Sequence, residues 1–145
     1  MIRGSVSIYI ICEDLVFSRL MEFMFNKYLA EPVIERISSF KELKEKKSER
    51  PPDIVILDDY NTGAASLEVI TFIRFNKRLE CPVYLFCENV ADMINKALQR
   101  GANHCYTKPF KPLLAVEEII GVLAPYIAGQ KTKNRSVDCS TYHLN

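Results

Sequence analysis

The sequence has no apolar run approaching the roughly 18 residues of a membrane-spanning helix. It also has no excess of one charge: 19 basic against 18 acidic side chains leave a formal net charge of +1. The first absence argues against a membrane span. The second argues against nucleic acid or an anionic surface as a direct partner. No CxxC pair is present, and the five cysteines (12, 81, 87, 105 and 139) have no histidines at metal-ligand spacing. An odd set of unpaired thiols points to a reducing, cytoplasmic setting. The N-terminal "MIRGSVSIYIICED" lacks a small-residue cleavage site, so its short apolar run reads as a first strand and not as a secretion signal. There is no P-loop, no internal repeat and no low-complexity tract.

What is present is an ordinary globular composition, 48% hydrophobic and 26% charged over 145 residues, which suits one domain with its own core. Two periodicities alternate along it. Strand-like runs occur at Val6–Ile11, Pro32–Ile37, Ile54–Leu57 and Pro82–Phe86, with a short fifth segment "NHCYT". Helical patterns occupy residues 15–29, the charged stretch after Ser38 and Ser39, Leu67–Phe75, 89–100 ending at Gly101, and a last helix from Leu113 that Pro125 should disturb. The basic run "KELKEKK" reads as a solvated helix face. Residues 129–145 are polar and aperiodic, and are expected to form an unordered tail behind a domain of residues 1–128.

Five strand–helix units in succession imply an α/β fold, a doubly wound parallel sheet covered by helices on both faces. Strands buried on both sides read as continuous apolar runs, as in "PDIVILDDYNTG". In such sheets the ligand crevice lies beyond the carboxyl ends of the strands. This chain sends polar groups there three times: Cys12-Glu13-Asp14 after the first strand, Asp58-Asp59 after the third and Thr107-Lys108-Pro109 after the fifth. Clustered carboxylates repel unless a cation sits among them, and Mg²⁺ suits oxygen ligands of this kind. A carboxylate in such a group can act as a nucleophile toward a phosphoryl group, with Lys108 opposing the charge that develops.

With these residues in view, the chain resembles a response regulator receiver domain of the chemotaxis-regulator type over residues 5 to about 127. The motifs are Glu13-Asp14 with Arg19 downstream, "PDIVILD" ending in Asp58, and "GANHCYTKPF" carrying Lys108-Pro109-Phe110. The resemblance implies a flavodoxin-like (βα)5 domain with a five-stranded parallel sheet in order 2-1-3-4-5. It implies Asp58 as the phosphoacceptor. It implies Mg²⁺ held by Glu13, Asp14, Asp58 and the backbone carbonyl of Tyr60. It further implies Lys108 against the phosphoryl group and a cis peptide before Pro109. The donor would be a histidine kinase or phosphotransfer protein.

The sequence departs from that pattern at four places. Cys87 stands where the family has a Ser or Thr that contacts the phosphoryl group, and a thiol is a weak donor. Glu88 follows it where a small residue is usual. Cys105 takes the aromatic switch position, and Tyr106 beside it should face the other side of the sheet. Thr62 replaces a proline, while Gly63 is kept. Cys87 and Cys105 read as buried packing residues in preference to a redox pair.

The expected function is therefore a phosphoacceptor receiver of a two-component system. It would not be an enzyme beyond self-phosphorylation and slow self-dephosphorylation. Its output would be a protein–protein contact with a downstream target, or a homodimer, through helix four, strand five and helix five. Seventeen residues after position 128 are too few for a DNA-binding output domain. The alternative is a pseudo-receiver, an interaction or dimerisation module independent of phosphorylation. An aspartate-nucleophile phosphatase is disfavoured because its second aspartate would fall on Tyr60. A flavodoxin is disfavoured because no hydroxyl-rich loop follows the first strand.

Overall fold

The computed structural model describes residues 5–47, 50–59 and 66–128, with the side chains of 124–128 excepted. Five strands, β1 (Ser7–Ile11), β2 (Val33–Ile37), β3 (Ile54–Asp58), β4 (Val83–Cys87) and β5 (His104–Thr107), alternate with helices α1 (Leu15–Tyr28), α2 (Phe40–Glu45), α3 (Ser66–Thr71), α4 (Ala91–Arg100) and α5 (Pro112–Ala128). The sheet is wholly parallel in order β2-β1-β3-β4-β5, the flavodoxin-like arrangement that the resemblance to receiver domains implies.

Strand parity sorts the core into two layers. Ile8 and Ile10 of β1, Ile54 and Ile56 of β3 and Phe86 of β4 face Met21 and Phe25 of α1 and Val116 and Ile119 of α5. The intervening residues, among them Ile11, Val55, Leu57 and Leu85, face Leu43 of α2, Ile70 of α3 and Ala97 of α4. β1, β3 and β4 are buried along their whole lengths. Edge strand β2 is mostly exposed or half-buried, which explains its weaker apolar signal.

Local chemistry sets the helix ends. Asp14 caps α1 by accepting the Val16 amide, and Ser39 caps α2 by accepting the Glu42 amide while Glu42 reaches back to Ser38. Pro112 opens α5, where a missing amide hydrogen costs nothing. Two elements differ from the sequence expectation. The helix expected over Leu67–Phe75 is an α-helix only to Thr71 and then a π-helical turn, Phe72–Asn76. That turn keeps Ile73 in the core, sets Phe72 edge-on to Phe40 at 5.4 Å and aims Arg74 at the end of α4. The last helix is not ended by Pro125 but runs to Ala128; one lost amide donor in a final turn does not stop it. The expected tail, 129–145, lies outside the described residues.

Candidate functional site

The site is built at the carboxyl edge of the sheet from three strand ends. β3 stands at the centre of the sheet, and its last residue, Asp58, is completely buried. Leaving a carboxylate in such a place is costly unless it is paired and hydrogen-bonded. Lys108, the first residue past β5, supplies the charge: its Nζ lies 2.6 Å from Asp58 Oδ1. The backbone directs it there. Lys108 N–H donates to the Cys87 carbonyl at 2.9 Å, and the Lys108–Pro109 peptide bond is cis.

The second oxygen of Asp58 has a different partner. The Cys12 thiol donates to Oδ2 at 3.1 Å. β1 and β3 pair with Ile11 opposite Leu57, so Cys12 follows β1 where Asp58 ends β3. Both residues carry the parity of the α1/α5 layer. Burial, and then the Asp58 carboxylate beside it, push the Cys12 thiol well above its ordinary range. It is a neutral donor.

Of the acidic residues expected around Asp58, the structure treats each differently. Glu13 is exposed and makes no hydrogen bond or ion pair among the described residues. Asp14 is half-buried, and its carboxylate is turned to the Val16 amide as the cap of α1. Tyr60, whose carbonyl was the remaining expected ligand, lies outside the described residues, as do Thr62 and Gly63. Among the described residues no group of three candidate ligands gathers. The residue brought against Asp58 from β1 is thus Cys12, which sequence reasoning missed. Its signal was positional: a polarizable side chain continuing the Ile8–Ile10 parity at the height of Asp58, visible only once the strands are in register.

Asp59 points to the opposite layer. Its amide donates to the Phe86 carbonyl and its carboxylate accepts the Ser66 hydroxyl. Cys87 and Cys105 occupy that same layer, and burial raises both thiols, Cys87 to about 11. Cys105 lies opposite Leu85 and Cys87 opposite Thr107, a diagonal relation. Their side chains meet across the two strands, sharing a thiol–thiol hydrogen bond. Tyr106 faces away from Cys105, as strand parity predicts: it stacks on Phe86 at 4.9 Å, and its hydroxyl donates to Glu118 of α5 at 2.9 Å.

No protein-family model matches the sequence, and no curated protein matches it. Solved structures do resemble it. The chemotaxis response regulator CheY4 of Vibrio cholerae superposes with a TM-score of 0.68 at 16% identity, over 81% of this chain and 99% of that one. A CheY-like response regulator receiver domain protein from Methanospirillum hungatei gives 0.71 at 15% identity, over 83% and 94%. A two-component response regulator from Clostridium difficile gives 0.68 at 18%, over 89% and 100%. The chain has the fold of response regulator receiver domains, with a buried aspartate–lysine pair at the carboxyl edge of its central strand.

Proposed function

We propose that this chain is a phosphoacceptor receiver domain of a two-component signalling system, with Asp58 as the acceptor. The observation that carries the reading is the 2.6 Å approach of Lys108 Nζ to a fully buried Asp58 at the mouth of the sheet. A carboxylate oxygen of Asp58 attacks the phosphorus of a phosphohistidine on a histidine kinase or phosphotransfer protein. The P–N bond breaks, its electron pair returns to the imidazole, and Asp58 becomes an acyl phosphate. Lys108 offsets charge on the phosphoryl oxygens throughout. The chemistry is stoichiometric self-phosphorylation with slow self-dephosphorylation, so the chain acts as a cytoplasmic signalling protein and not as an enzyme with turnover.

Receiver domains use Mg²⁺, and the donor set here meets the minimum for it. Mg²⁺ keeps several waters and takes one or two carboxylates. Asp58, the unengaged Glu13 and Asp14, whose Oδ1 caps α1, are the carboxylates on offer. When bound, the ion supplies positive charge against the phosphoryl oxygens.

The output surface is the face of α4, β5 and α5, read by a downstream protein or a second copy. Leu98 on α4 and Leu113 and Leu114 on α5 are exposed, as a contact face requires. Cys87 and Cys105 hold the positions of the phosphoryl-contacting hydroxyl and of the aromatic switch.

The test is incubation with acetyl phosphate and Mg²⁺, read by mass spectrometry. The expected result is a base-labile gain of one phosphoryl group, lost in Asp58→Asn and kept in Asp59→Asn. No gain in the wild type would remove the reading and leave a phosphorylation-independent interaction module in its place.

A further inference from the structure

Each oxygen of Asp58 already has a partner, and the two partners differ in kind. Oδ1 faces the Lys108 ammonium at 2.6 Å, and Oδ2 takes the Cys12 thiol at 3.1 Å. Cys12 is itself held: only 4% exposed, it receives the Asp14 amide on its sulfur at 3.1 Å. One buried negative charge is therefore matched by one positive charge, with a neutral hydrogen bond completing the set. Among the described residues the other carboxylates at this end of β1 are those of exposed Glu13, which makes no contact, and of Asp14, whose Oδ1 caps α1. Hard divalent cations select anionic oxygen, and a neutral thiol is a poor ligand for them.

We propose that Cys12 sets the metal demand of this site: by placing a neutral thiol, and not a further carboxylate, against Asp58, it keeps the affinity for free Mg²⁺ low and leaves Asp58 balanced by Lys108. Cys12 acts here as a positioning residue, through Asp58. The inference rests on the Asp58 reading above. It is measured by metal binding without any phosphodonor, so the two can fail separately.

The experiment titrates the full chain with Mg²⁺, using calorimetry and the metal dependence of the melting temperature, for wild type, Cys12→Asp and Cys12→Asn. A unit negative charge added beside a bound divalent ion strengthens binding by on the order of tenfold or more. Cys12→Asp should therefore bind at least about tenfold tighter than wild type, melt lower without metal and recover with it. Cys12→Asn, of equal size but neutral, should stay within about threefold of wild type. A Cys12→Asp chain that folds only with Mg²⁺ present gives the same support. One that stays unfolded in Mg²⁺ overturns the proposal, as does an Asn variant that gains as much as the Asp variant. Saturation of the wild type below about 1 mM Mg²⁺ also overturns it.

Discussion

At the scale of single residues, the Asp58–Lys108–Cys12 set makes a stability prediction. Lys108→Ala leaves a buried carboxylate without its cation, which costs about 3–5 kcal/mol when one partner of a buried pair is removed. Lys108 is partly exposed and Asp58 is not, so solvent recovers only part of that loss. Urea unfolding at neutral pH should show the drop, and Asp58→Asn combined with Lys108→Ala should recover most of it. A drop in Lys108→Ala within the error of wild type would mean that the pair holds no charge inside the fold.

The thiols add a pH dependence whose sign is definite. Cys12, Cys87 and Cys105 all have folded values above the ordinary 9.0. Their neutral forms favour the native state, so this contribution is complete below 9.0 and is lost as pH rises toward the folded values. Unfolding free energy should therefore decline as pH rises from 9.0 toward about 11, and Cys12→Ala should decline less steeply. Buried Cys87 and half-buried Cys105 are in hydrogen-bond contact, so mild peroxide tests their reading as packing residues: the free thiols at these two positions are expected to be unchanged, and loss of both together would mark a redox pair.

At the scale of elements, the join between the π-helical turn and α4 depends on one arginine. Arg74 Nη1 donates to the Leu79 and Cys81 carbonyls at 2.8 Å, and its Nη2 donates to the Gly101 carbonyl at 2.7 Å and to Asn103 Oδ1 at 2.9 Å. Asn103 Oδ1 in turn accepts the Val83 amide, tying the starts of β4 and β5 together. Gly101 ends α4 at φ +124°, and a Cβ there would meet Arg74 Nε at 2.8 Å. Gly101→Ala therefore combines backbone strain with displacement of this arginine and should cost about 1–3 kcal/mol by thermal or urea unfolding. An unchanged melting temperature would show that the arginine can shift freely. Nothing in the spacing of Arg74 marks this role. In the sequence it is one basic residue on a helix, and its acceptors come from two later segments.

At the scale of the whole molecule, the layer that carries Asp58 also carries the aromatic core. Phe86 pairs with Asp58 in register and packs against Phe17 at 5.3 Å, Phe110 at 4.7 Å and Tyr106 at 4.9 Å. Truncating so large a buried ring costs about 3–5 kcal/mol, a substantial part of the 5–15 kcal/mol typical of a domain. Phe86→Ala should accordingly be close to unfolding at ambient temperature. Phe23→Ala and Phe75→Ala, on rings 65% and 72% exposed, should stay within about 0.5 kcal/mol of wild type. Circular dichroism melts of the three variants separate these cases.

The alternation of strand and helix patterns, the parallel sheet, and the arrival of Asp58 and Lys108 at one edge were all legible in the chain. Buried parallel strands must be continuously apolar, and whatever follows them lies at the crevice. The opposite outlook of Tyr106 followed from strand parity. Tertiary structure alone decided which residue of Cys12-Glu13-Asp14 meets Asp58. That depends on the register between β1 and β3 and on the competing demand of the α1 amides for a cap. A local pattern shows that acids are present at a strand end. The neighbouring strand and the helix that follows decide which side chain is turned inward, and here they chose a thiol.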